Sequence, residues 1–318
     1  MNQTLKPILL ALAGSLAALA SPISVDSRYS LSLITNGLGI TSSGVALIPS
    51  TGRVDVNTNA SIIDSVNPAN GSFTTLSLYG YSLAGDSSGN IYLTETASGA
   101  QYGTKKYDSS GNFQTFYNTG NGTDIITVDS AGNLYAAKYD GQYNTTILKF
   151  AAGSTTSTTY ASGLYYVRGL AVDDSGQVYA QSAGQVYKVA AGGTTQGSHT
   201  LLATGLNGTR GLIWNSATGL LDINGGYELD QIHADGTWSQ VATGFTFALG
   251  ATVNAAGDIF ISDQVGGLGA QTGGALYELT PTSSSSSGTP EPASGLLVGI
   301  GMVAAVVARH RRLAGSRP

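Results

Sequence analysis

The sequence predicts an all-β protein, a six-bladed β-propeller closed by an N-terminal strand, on three observations. A turn ending in glycine recurs six times, at Gly52, Gly89, Gly132, Gly176, Gly219 and Gly257, with spacings of 37, 43, 44, 43 and 38 residues. Alternating apolar and polar residues flank the copies, which is the period of half-buried strands. Only 10% of the 318 residues are charged, whereas 44 are glycine. That is a composition of turns and strands, since exposed helix faces draw heavily on Glu, Lys and Arg. The chain has no cysteine, which excludes disulfides, thiolate metal sites and thiol nucleophiles.

Taken in order, the chain opens with Lys6, an apolar run from Pro7 to Ala20 and a small-x-small site at Ala18 and Ala20. This is the pattern of a secretory signal peptide over residues 1–20, cut after Ala20. Tyr29 to Ile34 then alternates as a strand. The repeats follow, clearest at Asp86–Tyr92, Asp129–Tyr135, Asp173–Tyr179 and Asn254–Phe260, with degenerate copies at Ser50–Asp55 and Ala217–Asp222. Between them lies a second phrase of strand, small-residue turn and strand, at Lys106–Phe113, Lys149–Gly153 and Lys188–Gly192. Four strands in about 40 residues make one propeller blade. The sixth copy has only three strands before the chain runs out of strand pattern. The N-terminal strand supplies the fourth, pairing the open edges and closing the ring. Residues 29–280 are therefore expected to form one domain.

Residues 281–289 are a Ser-rich linker of the flexible kind. Behind it stand Pro290, Glu291 and Pro292, an apolar stretch over 293–308, and Arg309, Arg311 and Arg312 in a basic tail. The apolar stretch reaches roughly 24 Å as a helix, a little short of a ~30 Å hydrocarbon core, and is expected to cross the inner membrane with the arginines inside. The Pro-Glu-Pro triplet, apolar helix and arginine cluster together resemble the PEP-CTERM sorting signal of Gram-negative bacteria over residues 290–318. The resemblance implies an exosortase-type processing enzyme as partner, cleavage near the triplet, and producers that make exopolysaccharide. It also implies a path from the membrane to the cell surface or extracellular matrix.

Between the two signals the chain carries 9 Lys and Arg against 18 Asp and Glu, a net charge of −9. That balance disfavours a nucleic-acid partner, whose phosphates require a basic surface. The repeat wording, best seen in Gly169 to Tyr179, resembles NHL and gluconolactonase-like propellers. This resemblance implies a fold that hosts lactonases, lyases and binding modules alike. Gluconolactonase-like enzymes hold a divalent metal over the channel with a first-blade glutamate, but Gly39 to Leu47 offers no acid here, so no ligand carries over. Glu95, Asn224 and Asp263 fall at the ends of second strands and form an oxygen-rich set that can hold Ca²⁺. The turn residues Asp86, Asp129 and Asp173 are expected to cap their own turns. His199 and His233 fall on outer elements without triad or metal partners. The run Ala234–Trp238 reads as a plain hairpin turn and Gly266–Gly273 as a loop.

Aligning inner strands on the repeat turn places Gly44, Tyr81, Asp124, Arg168, Arg210 and Leu249 at equivalent positions. They are expected to ring the channel mouth. There Tyr81, Asp124, Arg168 and Arg210 form a candidate ligand site, the arginines gripping a carboxylate by forked hydrogen bonds. Tyr79, Tyr139, Tyr143, Tyr165 and Tyr166 can offer flat faces to sugar rings. The competing use is an Arg168–Asp124 pair that plugs the channel. The functional expectation is a non-enzymatic binding or scaffold module without a cofactor, with exopolysaccharide as candidate partner. A metal-dependent, lactonase-like hydrolase stands as the alternative.

Overall fold

A computed structural model describes residues 23–39, 44–58, 62–95, 103–120, 122–207, 211–264 and 273–282. Residues 1–280 form one compact unit and residues 281–318 a second. The expected signal peptide and the expected membrane helix at 293–308 lie outside the described residues. Among the described residues no helix is long and apolar enough to cross a membrane.

Among the described residues the first unit has six antiparallel sheets, and in five of them the four blade strands run in chain order from an inner strand outward. Blade 1 comprises Val45–Ile48, Arg53–Thr58, Ile62–Val66 and Phe73–Tyr79, and blade 2 Leu83–Gly85, Ile91–Glu95, Gly103–Tyr107 and Phe113–Tyr117. Blade 3 comprises Thr123–Val128, Leu134–Tyr139, Asn144–Phe150 and Ser157–Tyr165, and blade 4 Val167–Val172, Val178–Ser182, Gln185–Lys188 and Thr200–Thr204. Blade 5 runs Leu212–Asn215, Gly219–Asn224, Glu228–Ile232 and Trp238–Thr243. Blade 6 takes Ala248–Val253, Ile259–Asp263 and Gly274–Pro281 from the end of the chain and Tyr29–Leu38 from its beginning. The N-terminal strand thus closes the ring as the missing fourth strand implied. Ser30 and Ser32 hydroxyls add bonds to the Thr280 carbonyl and the Glu278 carboxylate, at 3.4 and 3.5 Å.

The sequence did not announce a further pairing. Ser24–Val25 lies antiparallel along the outer strand of blade 5, with Ser24 opposite Thr243. Arg28 secures the crossing to blade 6 by bonding Asp26 and Gln231, both at 2.9 Å. Two residues carry no readable alternation, so only the packing reveals them.

A sheet with two apolar faces buries neither alone, and here each gap between neighbouring blades is its own core. One layer joins Ile63 and Ile48 of blade 1 to Ile91 and Leu93 of blade 2. The last joins Phe260 and Leu276 of blade 6 to Val54 and Val56 of blade 1. Six such layers complete the circle. Toward the axis the inner strands crowd together, which explains their glycines. A Cβ on Gly85 would sit 2.3 Å from the Leu47 carbonyl oxygen, and one on Gly169 would sit 2.8 Å from the Leu212 Cβ.

The repeat turns close the first hairpin of each blade and lie on one side of the ring, the turn face. In blades 2, 3 and 4 the leading Asp accepts the backbone N–H groups two and four residues on, at 2.8 to 3.0 Å. Its second oxygen accepts the hydroxyl of Tyr92, Tyr135 or Tyr179 at 3.0, 3.3 and 3.1 Å. Blade 6 has Asn254 in place of the Asp and Phe260 in place of the Tyr. With no phenol to bind, Asn254 turns its amide to Asp258 at 2.7 Å. Burial pushes the Asp86 carboxyl up, but hydrogen bonds from Asn90 and Tyr92 together hold it below its ordinary value. These aspartates are structural caps, as their spacing implied.

Candidate functional site at the channel mouth

All six inner strands start on the side opposite the repeat turns, the mouth face, and line an axial cavity of about 340 Å³ whose wall runs from Arg168 to the turn residues Pro49, Asp86, Ser87, Asp129 and Ser130. Its wall mixes apolar side chains such as Leu47, Ile125 and Ile213 with the hydroxyls of Ser82, Thr127 and Thr252. Two hydroxyls stitch neighbouring inner strands together. Ser82 accepts the Ile126 N–H at 3.2 Å and Thr252 accepts that of Leu47 at 3.3 Å.

Three of the six positions expected to ring the mouth lie at bulges of their strands. In blade 3 the register passes from Thr123 opposite Lys138 to Ile125 opposite Ala137, leaving Asp124 as the extra residue. The same slip isolates Arg168 in blade 4 and Leu249 in blade 6. A bulge re-aims the residue it displaces, and Arg168 joins the wall of the cavity. Tyr81 precedes the inner strand of blade 2, donates its N–H to Thr94 at 2.9 Å and is 46% exposed. Gly44 enters blade 1 where a Cβ would stand 2.9 Å from that of Leu83. Arg210 and the side chain of Asp124 lie outside the described residues.

Around Arg168 the structure assembles four tyrosines. Its guanidinium carbon lies 5.1 Å from the centre of the Tyr166 ring, and Nη1 donates to the Tyr166 hydroxyl at 3.0 Å. Ring centres of Tyr143, Tyr139 and Tyr165 stand 4.9, 5.6 and 6.3 Å from that of Tyr166. The Tyr139 hydroxyl donates to the Val167 carbonyl, fixing the entry of the strand that bears Arg168. The Tyr166 N–H reaches the Tyr143 carbonyl at 2.8 Å across the boundary between blades. Tyr143 and Tyr166 hold φ of 64° and 48°, a left-handed region that bulky residues rarely enter. Lys138, one residue before Tyr139 in the same strand, points to the other face of the sheet, with its ammonium near Gly120. Among the described residues neither Lys138 nor Arg168 takes part in an ion pair.

The carboxylates considered for metal are engaged on their own blades. Glu95 pairs with Lys105 at 2.6 Å and accepts the Tyr107 hydroxyl at 3.0 Å. Asp263 accepts the N–H groups of Phe247 and Thr246 at 2.6 and 3.1 Å, although burial raises its carboxyl. Asn224 ends the second strand of blade 5, and its side chain is not among those described. Among the described residues no group of three or more acids or histidines is placed to hold a metal. His199 is buried, accepts the Ala190 N–H at Nδ1 and meets the Ser162 carbonyl with Nε2 at 2.8 Å. His233 meets the Ser239 hydroxyl at 3.0 Å. The loop at 266–273 lies outside the described residues except at Gly273.

Sequence reasoning missed Lys138 and Tyr227. Tyr227 follows two glycines of positive φ, Gly225 and Gly226, and stands 56% exposed on the mouth face. A tyrosine directly after paired glycines at a hairpin tip was a readable signal for both turn and exposure.

Comparison with known proteins supports two parts of the chain. Residues 289–312 match the PEP-CTERM protein-sorting motif, the segment that holds Pro290, Glu291, Pro292, Arg309, Arg311 and Arg312. No curated protein sequence matches the chain. Its structure is similar to the gluconolactonase of Xanthomonas campestris, with a TM-score of 0.63, 14% identity and coverage of 84% of this chain and 93% of that one. It is also similar to the aldose sugar dehydrogenase of Streptomyces coelicolor, with a TM-score of 0.60, 16% identity and coverage of 80% and 100%. The soluble aldose sugar dehydrogenase of Escherichia coli follows at a TM-score of 0.59, 11% identity and coverage of 80% and 100%. Likeness at such identities concerns the fold. It nevertheless corrects the expectation of a non-enzymatic module, because these similar propellers are named as a gluconolactonase and as sugar dehydrogenases. That expectation leaned on the acid-free segment Gly39 to Leu47, and one missing ligand type does not make a propeller inert. The chain is an exported six-bladed β-propeller that carries a PEP-CTERM protein-sorting motif behind it.

Proposed function

We propose that the mouth face is a carbohydrate site that takes an acidic sugar, delivered by the sorting motif to the cell surface or extracellular matrix, where exopolysaccharide is the sugar within reach. The observation that carries this is Arg168, a cation outside any described ion pair, stacked at the mouth end of the axial cavity on Tyr166, whose ring in turn packs with those of Tyr139, Tyr143 and Tyr165. A guanidinium presents a planar fork that matches a carboxylate, while tyrosine rings cover the apolar face of a pyranose and leave their hydroxyls free to bond. The sugar and sugar-lactone chemistry in the names of the structural neighbours agrees with that ligand class. An exosortase-type enzyme acting near Pro290, Glu291 and Pro292 is the processing partner.

Calorimetric titration with a galacturonic acid disaccharide and its neutral galactose counterpart tests the site. The acidic sugar is expected to bind at least tenfold more tightly, about 1.4 kcal/mol. Arg168→Ala should erase that preference and Arg168→Lys restore part of it. Equal affinity of the native protein and Arg168→Ala for the acid would refute the assignment. A lactone-hydrolysis assay on the same samples reads out turnover, and loss of turnover in Arg168→Ala would tie it to this mouth.

A further inference from the structure

Resting on that carbohydrate reading, we infer that the mouth face binds an acidic polysaccharide as an extended chain laid across several blades, and not a single sugar at the axis. The exposed tyrosines among the described residues are Tyr79, Tyr81, Tyr143, Tyr165 and Tyr227, and each is between 46% and 56% accessible. One exposed aromatic is unremarkable, but the strand directions place all five on the mouth face. The exposed Phe73, Phe113 and Trp238 instead begin outer strands, at the turn face.

The five fall into three stations. Tyr79 and Tyr81 flank the passage from blade 1 to blade 2. Tyr143 and Tyr165, 6.4 Å apart, stand at the boundary of blades 3 and 4 above Tyr166 and Arg168. Tyr227 rises from blade 5 with its ring 6.4 Å from that of Phe247 and inclined at 65°. A monosaccharide occupies one station and leaves the others without purpose, whereas a polymer engages them in series. A cation favours an acidic polymer, and Arg168 stands on this side of a domain whose net charge is −9. A protein partner fits less well. Its footprint needs a continuous apolar centre, and polar turn residues such as Asp140, Gln142 and Asn144 separate the rings here.

The test is chain-length dependence with the full-length protein and oligogalacturonides. From the disaccharide to an oligomer of about ten units, affinity per oligomer is expected to rise by more than tenfold, beyond the statistical gain from repeated units. Tyr79→Ala and Tyr227→Ala, both at exposed positions, should pull the long oligomer toward the disaccharide value and leave the disaccharide unchanged. Arg168→Ala should weaken both lengths. If disaccharide and long oligomer bind alike, or if both tyrosine variants leave the long oligomer unaffected, the extended-chain inference is wrong while the sugar site stands. If neither length binds, both readings fall.

Discussion

The strand Leu134–Tyr139 ends in a similar turn on either side of the ring, and the two turns differ in one residue that matters. On the turn face Asp129 accepts from Ala131 and Asn133 at 3.0 and 2.8 Å, and the Asn133 amide returns to Asp129 at 2.7 Å. On the mouth face Asp140 accepts from Gln142 and Asn144 at 2.8 and 2.9 Å, and the Asn144 amide returns at 2.7 Å. The fourth residue is Gly132 with φ 82° in the first turn and Tyr143 with φ 64° in the second. A side chain in that conformation costs roughly 1–2 kcal/mol, and glycine would remove the cost. Tyr143 therefore holds its position against local preference, and what it gains there is a place in the aromatic cluster. The turn face is built for stability and the mouth face carries strain next to its candidate site, which is where strain accumulates in working proteins.

The largest effect expected from breaking this contrast comes from Asp129→Ala. It leaves two backbone N–H groups, an amide and the Tyr135 hydroxyl without their acceptor, and should lower unfolding free energy in urea by about 2–3 kcal/mol. Asp140→Ala should cost visibly less, because its turn stands in water; equal losses would dissolve the distinction between the faces.

Next comes blade 1, where the residue three after the turn glycine is Asp55 in place of the tyrosine of blades 2–4. Burial raises its carboxyl from 3.8 to about 6, against the opposing pull of Ser65 and Arg53. The folded state thus binds this proton more tightly than the unfolded chain. Its contribution to stability declines as pH rises from about 4 to 6, and the full cost is present above that window. Asp55→Asn should stabilise the protein at pH 7 by about 2–3 kcal/mol and flatten the pH profile of urea unfolding between those limits. A profile unchanged by the substitution would contradict this account.

The smallest effects exchange the fourth residues of the two turns. Gly132→Tyr should cost roughly 1–2 kcal/mol. Tyr143→Gly should gain about 0.5 kcal/mol, the relief of strain being partly offset by the entropy of glycine, while weakening acidic sugar binding. Opposite signs for stability and affinity in a single substitution would locate the trade-off at one residue.

Much of this fold was legible because its period is written in the chain. Six turn glycines and a last blade one strand short sufficed to assign Tyr29–Leu38 its partner 250 residues away in sequence, Ser30 beside Thr280. Asp124, Arg168 and Leu249 each stand eight residues before the turn glycine, but the register slip that leaves each of them unpaired was not readable. Ser24–Val25 was hidden by brevity. Tyr143 was hidden for a more instructive reason. A search keyed on glycine passes over Asp140 to Asn144, since the defining residue has been replaced. Lys138 escaped because the lack of an ion-pair partner is a property of the packed ring, whereas Tyr227 was marked by the paired glycines before it.

Joining the first strand to the last has a consequence for biogenesis. A chain made from its amino end presents Tyr29–Leu38 long before Gly274–Pro281 emerges. Until then the arc stays open, with unpaired backbone at both ends of the growing superstructure. Locking is thus a late, long-range event of high loop-closure entropy, and it completes only when the segment just ahead of the sorting motif has been delivered. A polypeptide that ends before Gly274 lacks the strand that pairs with Tyr29–Leu38 and leaves the ring open.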